Sequence, residues 1–86
     1  MPVTSAQVRM ARAALNWTVR DLAEATGLHR NTITNIEVGR YAGDPETLEA
    51  IERTLRTAGV AFIDENGGGA GVRLRKPARA GTQKKL

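Results

Sequence analysis

Leu22-Ala23-Glu24-Ala25-Thr26-Gly27-Leu28-His29-Arg30-Asn31-Thr32-Ile33-Thr34-Asn35-Ile36-Glu37-Val38-Gly39 is the stretch on which the fold of this 86-residue chain turns. Two short patterns of helical period meet there at a glycine. Leu22, Ala23 and Ala25 supply the apolar or small positions of the first, and Ile33 and Ile36 those of the second. Gly27 stands where a helix stops, because only glycine enters the left-handed region without strain. Leu28 is expected to be buried in the turn. Small Ala23, Gly27 four residues on, Ile33 six further and Ile36 three beyond form one consistent spacing. It lets one helix approach another closely, turn, and pin the second by its isoleucines so that Arg30, Asn31, Thr34 and Asn35 face outward.

Working outward, Thr18 is a good N-cap with Asp21 three residues on, so the first of these two helices is predicted from about Val19 to Thr26. The second is predicted from about Arg30 to Val38 and closes at Gly39. Toward the N-terminus, Thr4 and Gln7 have capping-box spacing and Val8, Ala11 and Leu15 recur at helical intervals, which predicts a helix from about Ser5 to Leu15. Trp17 reads as a partly buried bracket between those first two helices. Toward the C-terminus, Asp44-Pro45 starts a helix that carries Leu48, Ile51 and Leu55 inward to about Thr57, with Gly59 as its stop. Val60-Ala61-Phe62-Ile63 reads as a strand, Asn66 to Gly71 as a turn, and Val72-Arg73-Leu74-Arg75 as a half-buried strand. The expected organisation is therefore a helical domain over residues 1–59, a β-hairpin over 60–75 and a disordered basic tail over 76–86.

The spacing across Gly27 is that of a helix-turn-helix. The chain resembles the lambda-repressor-like helix-turn-helix regulators, of the Xre or Cro type. The likeness is carried by Trp17-Thr18, by Leu22 to Leu28 through the turn and by Thr32-Ile33-Thr34-Asn35-Ile36-Glu37-Val38-Gly39-Arg40, within a match over about residues 5 to 58. The ending Phe62 to Gly69 followed by Gly71 to Arg75 resembles that of many short bacterial members. The resemblance implies a mainly α fold, a bundle of four to five helices with a short C-terminal hairpin, that binds double-stranded DNA as a homodimer and regulates transcription. Carried over by position, Arg30, Asn31 and Asn35 become base-reading residues, with Thr32 and Thr34 as auxiliaries. Their chemistry suits the role, since arginine pairs bidentately with guanine and asparagine with adenine. Arg20, His29, Arg40 and Tyr41 become phosphate contacts, which position a protein without reading sequence. Two positions depart from the family pattern. Val19 stands where many members carry glutamine, and His29 stands where the cap is usually serine or threonine.

Charge is unevenly placed. Residues 1–59 hold seven arginines against seven acids, while residues 60–86 hold six basic residues against Asp64 and Glu65, which accounts for the whole net charge of +4. Lys76, Arg79, Lys84 and Lys85 form an electrostatic tail suited to phosphates, and equally to keeping a small domain soluble. Arg9, Arg12, Arg53 and Arg56 are expected to form surface pairs with Glu46, Glu49 or Glu52. There is no cysteine, and the single histidine has no carboxylates at ligand spacing, so no metal or other cofactor is expected. The only serine, Ser5, is accounted for by a helix start, so no catalytic role is expected. The glycine run from Gly67 lacks the ending of a phosphate loop. The N-terminus shows neither a secretory signal nor a membrane-spanning run, so a cytoplasmic, nucleoid-associated protein with no membrane partner is expected. So small a core gains by association, and the hairpin is the expected dimerisation element, with Phe62, Ile63, Val72 and Leu74 at the contact. Two other function classes fit the composition: a protein-interaction module, such as an antitoxin or adaptor subunit, and a non-specific architectural DNA binder.

Overall fold

The computed structural model describes residues 3–75. Four helices and one hairpin follow in chain order: α1 Ser5–Ala14, α2 Val19–Thr26, α3 Arg30–Glu37, α4 Pro45–Ala58, β1 Val60–Ile63 and β2 Gly71–Leu74. The mainly helical bundle and its hairpin agree with the expected class, at the lower helix count. Boundaries differ by one residue at α1, α3 and α4, whose ends are set by cap geometry rather than by the apolar stripe. β2 starts one residue early, at Gly71, and Arg75 lies just outside it. The expected disorder of 76–86 lies outside the described residues.

Each start has a local cause. Thr4 and Thr18 both close reciprocal capping boxes, with Gln7 and Asp21 as their partners. Asp44 accepts from the Thr47 amide at 2.8 Å, and proline follows it as the first helical residue. The Thr47 amide, and then its side chain, hold the Asp44 carboxyl below its usual range.

The core lies between the helices and under the hairpin. Leu22, Ile33, Ile36, Ile51, Leu55, Val8 and Val60 are its largest fully buried side chains. Each is worth about 1.5–3 kcal/mol relative to exposure. Leu15, Trp17, Val19, Leu28 and Leu48 pack on it while half-buried. Leu28 is thus less enclosed than expected, because it sits on the turn itself, and Ala25 is exposed.

β1 and β2 pair antiparallel, with Val60 opposite Leu74 and Ile63 opposite Gly71. The hairpin folds back onto its own bundle, with Phe62 and Val72 packed against the core. A buried glutamine fastens it there. Gln7, 3% exposed, donates through Nε2 to the Ile63 carbonyl at 3.1 Å and the Gly71 carbonyl at 2.9 Å. Its Oε1 accepts from the Thr4 amide, so one side chain caps α1 and clasps both strands. Such a buried polar group is tolerated because every bonding atom is used.

Candidate nucleic-acid interface

Gly27 takes φ 79°, and its amide donates to the Ala23 carbonyl at 2.8 Å, which ends α2 and redirects the chain. The Thr26 hydroxyl donates to the Leu22 carbonyl and accepts from the Leu28 amide, so the turn is held from both sides. His29 caps α3, its Nδ1 accepting from the Asn31 amide at 3.0 Å. An imidazole thus fills the place that serine or threonine usually takes, as the sequence at His29 implied.

Within α3, Ile33 and Ile36 are buried against the core. Arg30, Asn31 and Thr34 are exposed on the other side, and Asn35 is half-buried beside them. These four share one face because residues three and four apart on a helix lie side by side. Thr32 is half-buried and stands off that face, which distances it from the other four. Arg30 forms no ion pair among the described residues.

The flanking cations are placed less uniformly. Arg20 meets Glu24 at 3.7 Å with both side chains about three-quarters exposed, a contact weak enough to yield to a phosphate. Arg40 lies past the end of α3, its guanidinium 3.4 Å from the Asn35 Oδ1. Tyr41 is exposed. His29 and Arg30 line a shallow surface groove with Arg20 and Gly27, at the leading end of α3. Lys76, Arg79, Lys84 and Lys85 lie outside the described residues.

The far end of α3 is held by charge. Glu37, whose side chain is 5% exposed, is forked by Arg12 through Nε to Oε2 at 2.8 Å and Nη2 to Oε1 at 2.9 Å. Arg12 also donates to the Trp17 carbonyl at 3.0 Å, and Arg9 donates to the Glu37 carbonyl. The hydrogen bonds that Arg12 donates to Glu37 raise the Arg12 pKa against the opposing effect of burial. The surface pairing expected for Arg9 and Arg12 is therefore corrected. Arg12 turns inward, because Glu37 lies next to Ile36 on the buried side and requires a cation there, while Arg9 stays exposed and reaches only the Glu37 backbone carbonyl. The signal was present: a carboxylate four residues after Ile33 falls on the apolar stripe. Arg56 does pair with Glu52, at 2.6 Å, as expected.

A family model for the helix-turn-helix matches residues 8–60, from the middle of α1 to the first residue of β1. The chain belongs to the helix-turn-helix family. It is of the lambda-repressor-like, Xre type, and its fold and the α2-turn-α3 unit are those of a DNA-binding regulator. No curated protein matches it. Members of this regulator family are generally not enzymes. Among the described residues no helix is long and apolar enough to cross a membrane.

Proposed function

We propose that this helix-turn-helix regulator binds an inverted-repeat operator in double-stranded DNA as a homodimer, laying one α3 in the major groove of each half-site. The observation that carries the reading is the division of α3. Ile33, Ile36 and Glu37 are buried on one side, and Arg30, Asn31 and Thr34 are open on the other, with Asn35 at the margin. Arg30, Asn31 and Asn35 read base edges, Thr34 assists from the same face, and Thr32 contributes least. Arg20, His29, Arg40 and Tyr41 contact phosphates around the motif, and the basic tail adds sequence-independent attraction through Lys76, Arg79, Lys84 and Lys85. Regulation then follows from occupancy of a promoter, in a cytoplasmic, nucleoid-associated setting, with repression as the simplest outcome.

Two mutants measured on matched and scrambled duplexes separate reading from attraction. Arg30→Ala is expected to cost about 1–3 kcal/mol on the matched site and little on the scrambled one. Lys84→Ala is expected to weaken both about equally and to shallow the salt dependence. Equal losses from both mutants on both duplexes remove Arg30 from the reading set. Binding that never distinguishes the duplexes replaces this reading with an architectural one.

A further inference from the structure

The hairpin carries an unused edge. The Arg75 amide donates to the Gly59 carbonyl at 2.8 Å, one step beyond the Val60–Leu74 pair. That bond sets the phase of the ladder. Ala61 and Ile63 turn their N–H and C=O groups toward β2, and Phe62 turns its own to the open side of β1. Such a row of backbone groups is a template for a further strand.

Charge is distributed along this edge in a polar manner. At the start of β1 a shallow groove is lined by Arg56, Val60, Ala61, Phe62 and Arg75. Arg56 is already paired with Glu52 and lies 5.9 Å over the Phe62 ring. Arg75 donates to the Arg56 carbonyl at 2.7 Å and has no carboxylate partner among the described residues. At the other end of β1, Glu65 is occupied by the Gly67 and Gly69 amides. Asp64 is exposed and has no ion-pair partner among the described residues. One end is therefore cationic, the other anionic, and the four strand residues between them are uncharged.

An antiparallel copy of the same strand meets these requirements, because it sets each end against the opposite end. The β2 edge does not. There, about a twofold at Leu74, Arg73 would lie opposite Arg75 of the other copy, and β2 is packed over α1.

We propose that two copies of the chain join β1 to β1 about a twofold axis at Phe62, giving a four-stranded sheet in the order β2-β1-β1-β2. In this register Asp64 lies opposite Val60 of the other copy, beside its Arg75, and the pair forms twice. The proposal rests on the homodimer reading and specifies its surface.

Sedimentation equilibrium of the full chain tests it. Asp64→Arg and Arg75→Asp are each expected to weaken the dimer about tenfold or more, since symmetry counts each reversal twice. The double variant Asp64→Arg/Arg75→Asp restores both attractions and is expected to return to within about threefold of the parent. Circular dichroism checks that each variant is folded. If one is not, the Phe62 amide of the parent serves instead: its hydrogen exchange slows at concentrations where the dimer forms. A dimer unaffected by either reversal, or a Phe62 amide that exchanges equally fast in monomer and dimer, overturns this surface and leaves the homodimer standing. A parent chain that stays monomeric at all concentrations overturns the homodimer itself.

Discussion

Arg12→Met removes the fork that holds Glu37 and leaves the carboxylate in its buried place. The Glu37 side chain is 5% exposed and that of Arg12 is 24% exposed. Breaking a buried pair by removing one partner costs about 3–5 kcal/mol, because the remaining charge loses its compensation. Water reaches part of Arg12, which places the expected cost near the lower end, at about 3 kcal/mol. A domain of this size has a total stability of roughly 4–13 kcal/mol, so the variant folds but is visibly weakened. Its melting midpoint is expected to fall by roughly 12–24 °C, at about 4–8 °C for each kcal/mol. Urea unfolding followed by circular dichroism is the primary assay, and an unchanged slope shows that the same surface is being exposed. The double variant Arg12→Met/Glu37→Met replaces both charges with apolar groups of similar length. It is expected to recover to within about 1 kcal/mol of the parent. A loss below about 1 kcal/mol in the single variant, or a double variant no better than the single, would refute the reasoning that an isolated carboxylate at 37 is what costs stability.

Other outcomes follow from the caps and the clasp. Gln7→Leu leaves the Ile63 and Gly71 carbonyls without their extra donor and removes half of the α1 capping box. Amide exchange in β1 and β2 is expected to quicken well before that of α4, and uniform exchange across both counts against a separate clasp. Gly27→Ala places a side chain at φ 79°, where open space surrounds the new Cβ. The cost is backbone strain alone, about 1–2 kcal/mol in a thermal melt, and Gly27→Asn is expected to cost less. Asp44 has its pKa lowered by Thr47, so its contribution is present above the ordinary carboxylate range and lost as pH falls through the folded value. Asp44→Asn is therefore expected to melt below the parent at neutral pH and level with it in acid, which melts across a pH series read directly.

The fold was largely legible because its signals are local. Thr18, Gly27, Asp44-Pro45 and Gly59 punctuate the chain by backbone chemistry, and Ile33, Ile36, Ile51 and Leu55 follow from helical period alone. What the sequence concealed is long-range and polar. Gln7 reads as a capping residue, and nothing local says that its amide also reaches strands more than fifty residues away. Arg9 and Arg12 fall off the apolar stripe and read as surface charges, although each reaches over α3 to Glu37. Period analysis treats every off-stripe arginine alike, whereas a long side chain can bring its charge inward from the margin. The polar side of α3 was foreseen as Arg30, Asn31, Thr34 and Asn35, of which Asn35 is half-buried at the margin because a helix of eight residues leaves little tolerance at its flank.

The two sides of α3 have separable duties, and this bears on how easily the protein can acquire a new target. Support comes from Ile33, Ile36 and Glu37, which touch the rest of the molecule, while Arg30, Asn31, Thr34 and Asn35 touch it little. A lineage or a designer can therefore rewrite four letters and keep the mounting. On the function proposed above, the vocabulary of such a reader is bounded by those four places, and its tolerance for change is greatest where its meaning is carried.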